Sequence, residues 1–385
     1  MSRPLAAIPS VLPPDLMLTP TSEEDLAEAI SSAKTALSIR GGGTRGTLTE
    51  GTPLTTSGMS GITLYEPGAL TIVAKSGTPV SEIKAALAAE NQMLAFEPMD
   101  FRPLLGTDGT PTIGGVVACN ASGPRRVQAG ACRDFLLGVR FVDGTGSVVK
   151  NGGRVMKNVT GYDLARLMCG ARGTLGVLTE VSLKVLPRPE YVVTLVYEGL
   201  GHTATAQLLS NAMKSPFDVS GAARVPAGVT GDKGAVLIRV EGFEASVKYR
   251  AKALVETLGS ARYETDAAEN ERLWRVVRDV TPFADREGDV WSLSIKATDF
   301  MELAGVNPQE DKLVDWACGR VWMLMPKGSD LRSKMSGIDG HATLIRGSHE
   351  GMPRFHPEAL PLAQMAQALR QKYDPKGILN PGLMG

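Results

Sequence analysis

Apolar positions along this chain follow two periods in turn, and their order predicts its elements. Leu26, Ile30 and Ala33 recur at helical spacing behind Ser22 and Asp25. That pattern predicts a capped helix starting at Thr21 or Ser22. Leu37-Ser38-Ile39 reads as a short strand running into glycine, and the β-branched run Leu70-Thr71-Ile72-Val73-Ala74 as a second strand. Thr78-Pro79 opens a helix through Ile83 and Leu87 to about Glu90. From Phe96 to Arg126 neither period holds, and Gly, Pro, Thr and Asp predict loop. Apolar runs at Val139–Val142 and Ser147–Val149 flank Asp143-Gly144-Thr145-Gly146, a hairpin signal. Tyr162–Met168 reads as a short helix and Leu175–Val185 as a long strand, broken at Leu186-Pro187-Arg188-Pro189.

Beyond that breaker the pattern changes. Strands are predicted at Tyr191–Tyr197, Ala235–Val240 and Val321–Met325, and helices at Thr205–Met213 and Glu244–Leu258. Two β-α-β-like units can be drawn from them, which predicts a separate α+β domain. A last helix spans about Glu358–Lys372. The expected organisation is therefore residues 1–190, then 191–347, then 348–385 as a helix and tail returning to the first domain. Residues 1–20 form an irregular, proline-rich lead.

Composition narrows the class. Formal net charge is zero, which removes any global electrostatic argument for nucleic acid or an anionic membrane. No stretch approaches the ~20 apolar residues of a membrane span, and the lead lacks the apolar core of a signal peptide. A cytoplasmic protein is expected, reaching a membrane only through partners. Cys119, Cys132, Cys169 and Cys318 form no C-x-x-C pair, so no metal or iron–sulfur site is expected.

The glycines carry the candidate chemistry. Arg40-Gly41-Gly42-Gly43-Thr44-Arg45-Gly46 follows a strand, and consecutive glycines let backbone N–H groups converge on phosphate oxygens. The spacing is neither a Walker loop nor G-x-G-x-x-G. Gly106-Thr107-Asp108, Thr112-Ile113-Gly114-Gly115 and Asn120-Ala121-Ser122-Gly123 form a second low-bulk run, followed by Gly130 and Asp134. A third piece is Gly173-Thr174-Leu175-Gly176-Val177-Leu178. Any one of these is an ordinary turn; three, each at the edge of a strand, predict a flat ligand wrapped by backbone.

The ordered set R-G-G-G-T, P-x-x-x-x-x-x-x-G-T-D, T-I-G-G-V-V-A-C-N-A-S-G-P, R-D-F-L-L-G-V-R-F-V-D-G-T-G and G-T-L-G-V-L-T-E-V resembles the FAD-binding domain of the vanillyl-alcohol oxidase/p-cresol methylhydroxylase flavoproteins over residues ~20–190. Asp374-Pro375-Lys376-Gly377-Ile378-Leu379-Asn380-Pro381-Gly382 resembles the C-terminal end of that family, and Asn158-Val159-Thr160-Gly161-Tyr162-Asp163-Leu164 and Gly340-His341-Ala342-Thr343-Leu344 are similar to the FAD-binding subunits of bacterial glycolate oxidases within it. The resemblance implies an α+β fold, with a two-subdomain PCMH-type FAD-binding domain followed by a smaller α+β cap. It implies that the first motif and the Gly114-Gly115 region embrace the pyrophosphate. Asn120 to Gly123 would lie near the flavin ring, and Gly176 to Leu178 against the FAD. It implies oxidation of glycolate or a similar 2-hydroxy acid, with electrons passed to a second flavin subunit and an iron–sulfur subunit. Thr44 stands where covalently flavinylated members often carry His, so the FAD is expected to be non-covalent. The metal-binding H-x-G-D-G-N stretch of larger 2-hydroxy-acid dehydrogenases is absent, and no long extension follows Pro381-Gly382. That leaves a second expectation open, a non-catalytic FAD-containing subunit beside a larger catalytic one, and a third, a stand-alone flavin alcohol oxidase.

Oxidising a 2-hydroxy acid requires a cation for the carboxylate, a base for the hydroxyl proton and a hydride acceptor. Among His202, His341, His349 and His356, only His341 lies in a segment with other candidates, Arg346 and His349. Residue chemistry therefore nominates His341, Arg346 and Lys296.

Overall fold

The computed structural model describes residues 17–46, 49–154, 161–348 and 351–384. The lead to residue 16, Asn158-Val159-Thr160 and His349 lie outside the described residues.

The first helix, Glu23–Ser32, starts as its sequence demands. Ser22 Oγ accepts the N–H of Asp25 at 3.0 Å, and the Asp25 carboxylate accepts those of Thr21 and Ser22 at 3.1 Å. Leu26 and Ile30 turn inward. Strand Leu37–Arg40 pairs in parallel with Thr52–Thr55. A five-stranded antiparallel sheet follows, ordered Ile62–Glu66, Thr71–Lys75, Val177–Lys184, Leu136–Val142, Val148–Gly152. The last two strands form the predicted hairpin. Helices Val80–Ala89 and Ile113–Ala118 share a core with this sheet.

The stretch expected to be loop contains helices at Arg102–Leu105 and Ile113–Ala118. Two glycines masked the second one, since glycine is poor in helix interiors. Tertiary contact overrides that preference: a Cβ on Gly114 would stand 2.6 Å from Ser76 Cβ.

The second domain is one eight-stranded sheet, ordered Arg262–Glu264, Tyr191–Glu198, Ala235–Gly242, Gly221–Val225, Lys312–Asp315, Arg320–Met325, Asp289–Ile295, Gly340–Arg346. Every pairing is antiparallel. The β-α-β-like units are thus not parallel crossovers. Helices His202–Lys214 and Glu244–Leu258 cover one face of the sheet. Helix Ala267–Asp279 shares the core of the other face with Met99 and Leu104 of the first domain. Strands buried on both faces read as continuous apolar runs, which hides their direction.

Buried charges also join the two domains. Glu97 pairs with Arg239 at 2.9 Å, and Arg125 with Glu241 at 2.5 Å. Burial alone would raise the Glu97 pKa, but Arg239 and Arg125 beside it bring it down to about 2. After helix Leu360–Tyr373 the tail returns to the first domain, where Leu37 N–H donates to Ile378 O at 2.7 Å. No helix among the described residues is long and apolar enough to cross a membrane. No group of three or more His, Cys, Asp or Glu among them is placed to hold a metal ion.

Candidate active site

The glycine loops meet around a cleft of ≈ 540 Å³. Their glycines are needed first for packing. A Cβ on Gly42 would lie 1.6 Å from Thr110 O, and one on Gly109 1.7 Å from Gly42 O, so the two loops interlock backbone to backbone. Gly43 differs: its φ is +71° and no atom lies within 4 Å of its Cβ position. Among the described residues the amides of Gly42, Gly43 and Thr44 donate to no acceptor. Ser76 Oγ, buried in the cleft wall, also has no partner among the described residues. Unused donors converging in one wall fit a diphosphate.

Arg40, Gly41, Gly42, Gly43, Thr44, Arg45, Gly46, Gly106, Thr107, Asp108, Gly114, Gly115, Gly173, Gly176, Val177 and Leu178 all line this cleft. Thr112 stands behind it; its Oγ1 accepts Gly115 N–H at 3.3 Å and fills the space a Cβ on Gly41 would need. Asp134 accepts Ala131 N–H at 2.9 Å and lines neither this cleft nor the next. Gly123 meets the second domain, its carbonyl accepting Trp316 Nε1–H at 3.0 Å. Sequence reasoning passed over Met17, Thr56, Ser57, Ser76, Arg172 and Asn380 in the same wall. Asn380 stood inside the Asp374–Gly382 motif and carried a signal, and Arg172 directly precedes the third glycine motif; the others have none in a single sequence.

Arg45, Cys119 and Arg172 also line a second pocket, ≈ 140 Å³, between the two domains. Asn120 and Ser122 reach it from the first domain; Trp316, Arg320, Thr343, Arg354 and Phe355 close it from the other side. Among the described residues its wall holds four arginines and no carboxylate or imidazole. Three of the guanidinium groups are set against rings. Arg45 lies 5.3 Å from the Phe101 centroid and Arg172 4.6 Å from that of Phe355. Arg320 sits 4.6 Å from Trp316 and 4.1 Å from Trp322 while donating to Ser122 O at 3.2 Å. Arg354 donates to Leu344 O and Ile345 O at 3.2 and 2.9 Å. Burial lowers the pKa of Arg45 and Arg354, and takes Arg320 down to about 10. All remain cations at neutral pH.

Trp316 reaches this interface through an unusual turn. Trp316, Ala317 and Cys318 have φ of 51°, 50° and 76°, three successive left-handed residues, which costs about 1 kcal/mol or more each. The Trp316 hydrogen bond to Gly123 and the bond from Trp316 N–H to Asp315 Oδ1 at 2.8 Å hold it. Burial pushes the Asp315 carboxyl up to about 7, against the pull of Arg320.

The three nominated catalytic residues line neither cleft. His341 is exposed on the edge strand. Lys296 is exposed and paired with Asp339 at 2.7 Å. Arg346 binds the carbonyls of Leu104, Phe283 and Ala284 at 3.2, 2.8 and 3.0 Å, so it ties the second domain to the short helix Arg102–Leu105.

The family described as FAD binding domain matches residues 14–152. Glycolate oxidase subunit GlcE of Escherichia coli (strain K12) is 37% identical over 374 residues, 94% of this chain and 95% of that protein. The chain belongs to the GlcE family of PCMH-type flavoproteins. FAD is the cofactor of the family's binding domain, and the first cleft fits it. More distant relatives include D-lactate dehydrogenase of Anaerostipes hadrus, 34% identical over 206 residues, and glycolate oxidase subunit GlcD of Bacillus subtilis (strain 168), 30% identical over 210. Those matches take in 49% and 51% of this chain but only 40% and 42% of the longer relatives. A solved alkyldihydroxyacetonephosphate synthase superposes with a TM-score of 0.68 at 15% identity, over 95% of this chain and 75% of that one. That likeness establishes the fold alone.

Proposed function

We propose that this chain is the FAD-binding subunit of a glycolate oxidase-type complex and that its cationic pocket takes the carboxylate of a small 2-hydroxy acid. One observation carries the reading: beside the FAD cleft, and sharing three residues with it, lies a pocket lined by four arginines and, among the described residues, by no carboxylate. An anion entering there replaces lost hydration with fixed charge. The name of the GlcE relative points to glycolate, and the sizes of the two clefts suit a dinucleotide beside a two- or three-carbon acid.

In this reading Gly42, Gly43, Thr44 and Ser76 hold the diphosphate. Bound FAD supplies hydride acceptance. Arg320 and Arg354 hold the substrate carboxylate, and Phe101, Phe355 and Met99 keep water out. Thr44 leaves the FAD non-covalent, so acid denaturation releases free yellow flavin; colour retained on the precipitated chain overturns this point.

One observation favours a second reading. Apart from the arginines, Cys119 is the pocket's one titratable group among the described residues, so no strong base faces the substrate. The chain would then bind FAD and an anion while a second flavin subunit removes the hydroxyl proton, with an iron–sulfur subunit carrying electrons onward. Such a complex sits at the cytoplasmic side and touches a membrane only through partners. Anaerobic addition of glycolate or D-lactate separates the readings. Bleaching of the purified chain supports the first; bleaching only in the full complex supports the second.

A further inference from the structure

We propose that His356 is a pH-sensitive positioning residue: as a neutral imidazole it ties the strap 352–356 to the edge strand Gly340–Arg346 and so holds Arg354 and Phe355 in the wall of the cationic pocket. The inference rests on the reading of that pocket as a carboxylate site.

The strap extends the sheet edge. Leu344 N–H donates to Arg354 O at 2.9 Å, and Arg354 Nη1 returns bonds to Leu344 O and Ile345 O. Arg332 staples both layers, donating to Ala342 O at 2.9 Å, Pro353 O at 2.7 Å and Arg354 O at 2.9 Å. At the far end Ala342 N–H donates to His356 Nδ1 at 3.2 Å. A backbone amide only donates, so Nδ1 must carry a lone pair and the proton sits on Nε2. Protonating Nδ1 sets donor against donor and breaks that end of the strap. Phe355, next in the chain, is the residue that Arg172 stacks on from the first domain.

The groups facing His356 are Arg332, with Asp330 beside it, and His341, whose ring stands edge-on at 5.7 Å; the Lys296–Asp339 pair lies just beyond. Burial, then Arg332 and His341, hold His356 below the usual histidine range. The folded value is depressed, so the strap bond is intact above about 6.5 and is lost as pH falls through the folded value. Charge alone predicts the reverse for an anionic ligand, because a new cation near the pocket tightens binding as pH falls.

The test uses the full-length, FAD-loaded chain and oxalate as an inert acid, followed by flavin absorbance from about pH 8 to about pH 5. Oxalate affinity should fall about tenfold over that range. His356→Asn puts a non-titrating oxygen where Nδ1 stood; it should keep the affinity seen at pH 8 and lose the pH dependence. His356→Gln, whose oxygen mimics Nε2 instead, should bind about tenfold more weakly throughout. Nitrogen-15 spectra of labelled histidine should show the Nε2–H tautomer for His356, and Ala342 amide exchange should accelerate as this ring titrates. Binding that tightens on acidification, an identical pH slope in the Asn variant, or an Nδ1–H tautomer overturns the proposal. If oxalate fails to bind at any pH the carboxylate reading falls, while the tautomer and the Ala342 exchange still decide the strap.

Discussion

Replacing Glu97 by Gln removes the first domain's negative charge from the buried network that joins it to the second. The side chains of Glu97, Arg125 and Arg239 are 15%, 9% and 3% exposed, so water cannot substitute freely for the lost partner. Breaking a buried ion pair from one side costs about 3–5 kcal/mol. Glu241 remains within 2.5 Å of Arg125 and 3.7 Å of Arg239, which favours the lower end. The titration leads to the same size: a carboxyl held at about 2 instead of 4.5 represents about 3 kcal/mol. With an unfolding entropy of about 2.1 cal/mol/K per residue, that lowers Tm by about 4 °C if the whole chain melts together and about twice that if one domain melts alone. The depressed pKa sets the pH window. The stabilisation is complete above about 4.5, where the unfolded carboxyl is already ionised, and disappears as pH falls through about 2. Calorimetry of FAD-loaded wild type and variant at about pH 7 and about pH 4 should therefore show a difference that narrows on acidification. A variant melting within about 1 °C of wild type at neutral pH would refute the claim that this network holds the domains together.

Arg320→Gln should weaken oxalate or glycolate binding about 10- to 100-fold with FAD content unchanged, read by equilibrium titration of flavin absorbance. Gly42→Ala brings a methyl onto Thr110 O and separates the interlocked loops, so the purified chain should lose most of its flavin, read as the flavin-to-protein absorbance ratio. Asp315 has a raised pKa, so stability falls as pH rises from about 4 and levels off above about 7, once the folded carboxyl has ionised as well. Asp315→Asn should remove that slope; between about pH 6 and pH 8.5 the wild type loses about 1–2 kcal/mol by urea unfolding and the variant does not.

The glycine-lined cleft was legible because glycine is rare where bulk is tolerated. Gly42, Gly109 and Gly114 each stand where a methyl would collide with another loop, and the sequence records that constraint. The arginine-lined pocket was not legible. Arg320 and Arg354 are ordinary residues of a strand and a strap, and only tertiary folding sets Arg320 on its rings and brings both beside Arg45 and Arg172. His341, Arg346 and Lys296 were nominated for side-chain chemistry, which does not encode position; Arg346 serves as a carbonyl staple and Lys296 as a surface ion pair. The antiparallel order of the large sheet was hidden for a related reason, since double burial erases the alternation that marks strand faces.

Asn380 joins segments from opposite ends of the sequence. Its side chain accepts Ile39 N–H at 2.7 Å and donates to Ile39 O at 3.3 Å and Arg172 O at 2.9 Å, and it lines the FAD cleft itself. Those bonds cannot form until residue 380 has left the ribosome, although the glycine loops emerge hundreds of residues earlier. The wall of that cleft is therefore completed only when a segment 341 residues further along the chain has docked against Ile39.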